Sequence, residues 1–186
     1  MLVLHESDIM KKSIALLLAC LPWFQAAAQT CYNDILPDTP TTDFTDNKDG
    51  TVTHDKTGIT WMRCALGQAW NGSTCTGTAQ TYTWARALQA AETLNEGGGL
   101  AGKIDWRLPN RKELKSIVER RCYSPAINAV LFPNTPSDWF WSASPYAYDS
   151  GNAWPVSFSY ANDDNDYRGA RSSCASRAVD SHLTLF

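Results

Sequence analysis

The densest recognition chemistry in the chain lies in its last quarter. There Tyr146, Tyr148, Asn152, Tyr160, Asn162, Asp163, Asn165, Asp166 and Tyr167 interrupt an otherwise core-like framework. Tyrosine supplies broad contact area at little entropic cost, and Asn and Asp supply adaptable hydrogen bonds. That combination suits a glycan or protein ligand held on a loop face. An ordinary polar loop over a sheet is the plainer reading. A second set is cationic: Arg111, Lys112 and Lys115, with Arg120 and Arg121 further on. A charge run on a helix is usually a solvated face; the sharper reading is a patch for an anionic glycan.

No Ser-His-Asp set, carboxylate pair or metal cluster presents itself. No catalytic residue is therefore assigned, and no enzyme is expected. His54 and His182 lack the spacing of a zinc site, and no cysteine spacing is a C-x-x-C, so no metal and no cofactor is expected. Asp46-Asn47-Lys48-Asp49-Gly50 superficially resembles a calcium loop. Aligning Asp49-Gly50 with that motif puts Thr45 first and Lys56 last, where Asp and Glu are needed. A hairpin turn is the expectation, with Gly50 supplying the positive φ.

The elements that must position these groups follow from pattern. Thr51-Val52-Thr53 and Ile59-Thr60-Trp61-Met62 read as strands around a turn at Asp55-Lys56-Thr57-Gly58. Thr83 caps a helix whose Trp84, Leu88, Ala91 and Leu94 share one face, and Gly97-Gly98-Gly99 stops it. Asn110 and Glu113 form a capping box for a second helix. Its buried stripe is Leu114, Ile117 and Val118, and the basic residues out to Arg121 occupy the rest. Trp139-Phe140-Trp141-Ser142 is a strand candidate. Trp154, Val156 and Phe158 alternate with Pro155, Ser157 and Ser159 as in a half-buried strand. Pro155 lacks a donor, so that strand belongs at an edge or carries a bulge. Helices and strands in this order predict an α+β domain, with two helices packed on a mainly antiparallel, irregular sheet.

The chain has 186 residues, and a formal net charge of −3 argues against a general nucleic-acid binder. Hydrophobic residues at 44% are enough for one core, so one domain with a short appendage is expected. Residues 1–28 read as a signal peptide. Met10-Lys11-Lys12 opens a basic region, with Met10 an alternative start, Ile14 to Leu21 is apolar, and Ala26-Ala27-Ala28 is a cleavage signal. The apolar run is too short to span a bilayer, and no transmembrane segment is expected in the mature chain. Leu17-Leu18-Ala19-Cys20 also resembles a lipobox. Leu18 is awkward there, so an anchored lipoprotein through Cys20 is the alternative to a periplasmic, secreted or surface protein.

Export permits disulfides. Cys20 leaves with the signal, and Cys31, Cys64, Cys75, Cys122 and Cys174 remain. Cys64 and Cys75 bracket a loop-like stretch with Gly67, Asn71 and Gly72 and form a natural local pair. Cys31 and Cys122 are expected to tie the extended arm, residues 29–42, to the end of the second helix. Cys174 is left over.

Several blocks, in order, resemble one family. They are Phe44-Thr45-Asp46-Asn47-x-Asp49-Gly50-Thr51-Val52-Thr53, Thr57-Gly58-x-x-Trp61-Met62 and Asp105-Trp106-Arg107-Leu108-Pro109-Asn110. Glu113-Leu114, Phe132-Pro133, Phe140-Trp141-Ser142 and Ala153-Trp154-x-Val156-x-Phe158 follow. The family is that typified by the C-terminal domain of the Legionella collagen-like adhesin. The resemblance implies a C-type-lectin-like fold over residues 43–171 on an exported bacterial protein, and sulfated glycosaminoglycans as a ligand class. The Tyr/Asn/Asp-rich segment also resembles the variable segments of lectin-fold proteins diversified by retroelements. Trp106-Arg107-Leu108-Pro109 is similar to a block in sulfatase-modifying factors. Those enzymes need reactive cysteines, and the cysteines here read as structural pairs. Calcium-dependent lectins use Glu-Pro-Asn, Gln-Pro-Asp and Trp-Asn-Asp motifs, and none occurs here.

The resemblance fails in the tail, residues 172–186. The family closes with a strand reading approximately V-R-L-V-R-G-G, where this chain has Ser172-Ser173-Cys174-Ala175-Ser176-Arg177-Ala178-Val179-Asp180. One back-translation of this stretch, read in a shifted frame, gives F-V-R-L-A-R-G-G-Q-S-F-D. A frameshift shortly before Cys174, exposing the edge that the lost strand would cover, is the expectation; a divergent tail that still forms a strand is the alternative.

Three functions remain in view. The first is an exported lectin-like module for a glycan or protein; the second is a structural envelope protein; the third is an enzyme on the same fold. Export itself is directly checkable. N-terminal sequencing of the mature protein is expected to begin at Gln29, and a lipid-modified Cys20 would overturn that site.

Overall fold

A computed structural model describes residues 28–147, 149–160, 177 and 179–180; for 149–152 and 179–180 it describes the backbone path. The strands are β1 (Thr30–Cys31), β2 (Phe44–Asp46), β3 (Thr51–His54), β4 (Ile59–Met62), β5 (Ala69–Trp70) and β6 (Cys75–Thr76). After α1 (Trp84–Glu96) come β7 (Trp106–Arg107), α2 (Arg111–Lys115), β8 (Cys122–Tyr123), β9 (Trp139–Tyr146), β10 (Asp149–Ser157) and β11 (Val179–Asp180). The fold is α+β. Its largest sheet has the order β2-β3-β4-β11-β7, and β1-β8, β5-β6 and β9-β10 form two-stranded pairs. Among the described residues every strand pairing is antiparallel.

The first hairpin follows its turn chemistry. Asp49 Oδ1 accepts from the Thr51 N–H at 3.0 Å, and the Asn47 amide donates to the Thr51 and Thr53 hydroxyls. Gly50 sits at φ +90°, and a Cβ there would press on the Trp70 side chain at 3.1 Å. Position 50 thus needs glycine both for its φ and for the close approach of the indole. The turn is a hairpin, as its sequence predicts. At β10 the register shifts between Ala153 and Pro155, so the proline falls at an irregularity of a two-stranded pair, where its missing donor costs nothing.

The core is aromatic. Trp61, Trp106 and Trp141 are fully buried, and Phe140 meets Phe158 edge-on at 5.0 Å. Burial brings an obligation for each indole N–H, which Trp106 and Trp141 meet and Trp61 Nε1, without a hydrogen-bond partner among the described residues, does not. Trp106 donates to the Leu100 and Lys103 carbonyls, and Trp141 donates to Tyr82 O at 2.7 Å. β11 lies between β4 and β7, with Val179 opposite both Trp61 and Arg107, so both of those inner edges are paired.

Two expectations need correction. The second helix ends at Lys115, short of the stretch to Arg121 that its basic residues predict. Ile117 and Val118 are buried, but beyond the helix, where Val118 bridges to Ile127. Glu119 explains the early stop. Its buried carboxylate accepts from the Asp38 and Thr39 N–H groups and from the Thr39 hydroxyl, so the chain leaves the helix to meet the N-terminal arm. Consequently Cys122 is not at a helix end. It lies on β8, directly opposite Cys31 on β1. The half-buried alternation expected at the end of β10 is also blurred, because Val156, Ser157 and Phe158 are all buried.

Both disulfides are present. Cys31–Cys122 spans 91 residues of sequence with Cα atoms 4.0 Å apart, and Cys64–Cys75 spans 11 with Cα atoms 5.4 Å apart. Loop-closure entropy makes the longer crosslink worth about 4–5 kcal/mol and the shorter about 2.5–3 kcal/mol. Denaturant melts of the two Cys→Ala double variants are expected to rank accordingly, with Cys31→Ala/Cys122→Ala the less stable. The reverse order would show that the β1–β8 crosslink does little to restrict the unfolded chain.

Candidate ligand-binding surface

A helix of five residues does not persist on its own, so α2 must be held by side chains. Asn110 Oδ1 accepts from the Glu113 N–H at 3.0 Å, and the Glu113 carboxylate accepts from the Asn110 N–H at 2.7 Å. This is the capping box that the sequence predicts. Arg107 on β7 donates to the same carboxylate through both terminal nitrogens, at 2.8 and 2.9 Å. Burial alone would raise the Glu113 pKa. Burial is the largest single influence, but the Arg107 hydrogen bonds, the Asn110 N–H and the guanidinium charge together outweigh it, and the carboxyl is held below its ordinary value. Two further bonds fasten the helix start to β9. The Ala143 N–H donates to Pro109 O at 2.8 Å, and the Arg111 N–H donates to Ser144 Oγ at 3.0 Å.

This anchorage shapes a surface depression of about 560 Å³. Asn110, Arg111, Lys112 and Lys115 line one side, and Ser144, Pro145 and Trp154 of the β9–β10 hairpin line the other. The Arg111 guanidinium stacks over the Trp154 ring, 4.3 Å from its centroid. Tyr146 meets the same indole edge-on, with ring centroids 5.2 Å apart. The depression therefore combines an aromatic wall with a rim of three cations. A larger hollow of about 980 Å³ runs along α1, but Arg86 is the one charged residue in its lining, and it lacks that convergence.

The cationic set expected from the sequence is thus divided. Arg111, Lys112 and Lys115 come together here. Arg120 instead pairs with Asp38 at 3.0 Å, and Arg121 lies 3.8 Å from Glu119, both towards the N-terminal arm. Of the Tyr/Asn/Asp-rich set, Tyr146 joins the depression through Trp154. Tyr160 forms a bridge with Tyr123 on a separate surface and is 63% exposed. Tyr32, 54% exposed, stands 6.1 Å from Tyr123. Asn152 lies on β10, and its side chain is outside the described residues, as are Tyr148, Asn162, Asp163, Asn165, Asp166 and Tyr167.

Trp154, Ser144, Tyr32 and Tyr123 were not legible as surface groups. Trp154 reads as an inward strand position, and only the pairing of β10 with β9 brings it beside α2. Tyr32 and Tyr123 are 91 residues apart and meet through the β1–β8 pair.

What fold and surface define together is a small disulfide-tied α+β domain with a basic, aromatic-walled depression. The chain belongs to the Lcl C-terminal domain family, whose sequence model matches residues 50–180. No curated protein and no solved structure matches it. The family is adhesin-related, and the two disulfides fit a protein that folds outside the reducing cytosol. Among the described residues no helix is long and apolar enough to cross a membrane.

The Glu113 network carries a pH signature. Its folded-state pKa is lowered, so its stabilisation is complete above the unfolded carboxyl value of about 4.3 and is lost as pH falls through the lower folded value. Glu113→Gln is expected to cost roughly 2–3 kcal/mol at neutral pH, the worth of charged hydrogen bonds, and progressively less on acidification. Urea melts across the acid range test this. A deficit independent of pH would mean that the charge of Glu113 is not what holds α2.

Proposed function

We propose that the chain is an exported, C-type-lectin-like binding module and not an enzyme. Its ligand is an anionic glycan, of the sulfated glycosaminoglycan class, held in the depression between α2 and the β9–β10 hairpin. One observation carries the reading: Arg111 stacks on Trp154 while Lys112 and Lys115 line the same depression. Such a site suits a sugar that bears acid groups. The aromatic wall takes the apolar face of a pyranose, and the cations take sulfate or carboxylate. Guanidinium in particular offers a planar fork to an oxyanion. The family membership supports an adhesin-related role outside the cytosol, in the periplasm, at the surface or secreted.

A second reading has its own observation. Exposed Tyr32 and Tyr160 flank half-buried Tyr123, Tyr32 by ring contact and Tyr160 by a backbone bridge, and this tyrosine group suits a neutral glycan or a protein. Its contacts would depend little on salt.

Heparin binding by the mature protein separates the two. The triple variant Arg111→Ala/Lys112→Ala/Lys115→Ala is expected to weaken binding by at least roughly tenfold, and wild-type affinity is expected to fall steeply with added salt. Binding that survives the triple variant and ignores salt, but is lost in Tyr32→Ala/Tyr160→Ala, would replace the first reading with the second.

A further inference from the structure

We propose that Gln29 is a site of N-terminal cyclisation that the fold keeps closed. The inference rests on cleavage after Ala28, which makes Gln29 the first residue of the mature chain. A free N-terminal glutamine cyclises by itself. Its α-amine attacks Cδ of its own side chain, the N–Cδ bond forms, the Cδ–Nε2 bond breaks, and ammonia leaves with the proton that the amine gives up. No external reagent is needed. The product is a neutral lactam without a side-chain amide and without a terminal charge.

Here the carboxamide is engaged elsewhere. Gln29 Nε2 donates to Pro125 O at 2.7 Å and to Ile127 O at 2.5 Å, on a segment almost a hundred residues away. The backbone that follows cannot swing to relieve this. Thr30 and Cys31 pair with Tyr123 and Cys122, the disulfide joins the second pair, and the Tyr32 N–H donates to Arg121 O at 2.8 Å. To close the five-membered ring, Cδ must turn back onto its own backbone nitrogen, which requires both amide bonds to be given up first. The reaction then proceeds only from a locally opened state, and its rate scales with the population of that state. Cyclisation is also one-way for the seat, because the lactam has no Nε2 to return to the Pro125 and Ile127 carbonyls. The mature N-terminus therefore keeps its amide and its charge while β1 stays docked, and loses both once β1 has been released for long enough.

The test uses the full mature chain with Gln29 placed at the terminus by a specific protease, so that it does not depend on the natural cleavage site. Loss of one ammonia is followed by intact mass, and N-terminal peptide mapping assigns it to Gln29. The native oxidised protein is expected to cyclise at least roughly tenfold more slowly than the same chain reduced and unfolded in urea. Cys31→Ala/Cys122→Ala, which loosens β1, is expected to cyclise faster than wild type whether it stays folded or not. Equal rates in the native and unfolded chains would overturn the proposal. Natural protein that begins at another residue would also overturn it, through the leader reading on which it rests, and N-terminal sequencing tells that failure from the first.

Discussion

The buried carboxylate of Glu113 is the joint on which the surface of this domain depends. It accepts from Arg107 on β7 and from the Asn110 N–H, while its own N–H is capped by Asn110. One side chain thereby connects the large sheet to a helix too short to form unaided. Bidentate guanidinium–carboxylate geometry fixes orientation as well as distance, which a methylene contact would not. With α2 fixed, the Pro109 carbonyl and the Arg111 N–H meet β9, and Arg111 is delivered over Trp154. The cations of the depression are therefore not a chance feature of a solvated helix face. They begin the residue after a cap whose partners are all buried or half-buried.

A second constraint comes from the C-terminal stretch. Arg177 is fully buried, and its two terminal nitrogens donate to Met62 O, Arg63 O and the Thr135 hydroxyl, while its Nε has no partner. The guanidinium lies 4.9 Å from the Phe132 ring centroid. Burial brings its pKa down to about 9. A buried charge is costly unless dipoles replace its water. Carbonyls at the end of β4, a hydroxyl and an aromatic face replace part of it here. The same short stretch then supplies β11 between β4 and β7. The last stretch that the family model covers thus occupies the middle of the sheet, through backbone pairing, which does not depend on side-chain identity.

Much of this was legible because it is local. The turn at Gly50, the capping box at Asn110 and Glu113, the stop at Gly97 and the irregularity at Pro155 all follow from backbone chemistry within a few residues. The Cys64–Cys75 crosslink is local as well. What failed was set by distant partners. The length of α2 cannot be read from its basic residues, because Glu119 is drawn away by Thr39, eighty positions earlier. Cys122 falls on a strand because β1 is there to pair with it. Trp154 looks like a core residue in its own strand and becomes a wall only when Arg111 is placed over it.

Net charge is a poor guide to what such a surface attracts. The chain carries a formal −3, yet the depression collects Arg111, Lys112 and Lys115, and among the described residues its lining contains no carboxylate. The acidic residues near other cations are already committed. Asp38 is held below its ordinary pKa chiefly by its hydrogen bond to the Arg120 side chain, and Glu119 is buried against the N-terminal arm. Over a Debye length of about 8 Å at physiological salt, the charges that act at a surface are those close to it. The division of the basic run decides the field. Two arginines of the run pair towards the N-terminal arm, and the other three cations gather beside Trp154 on a protein that is negative overall.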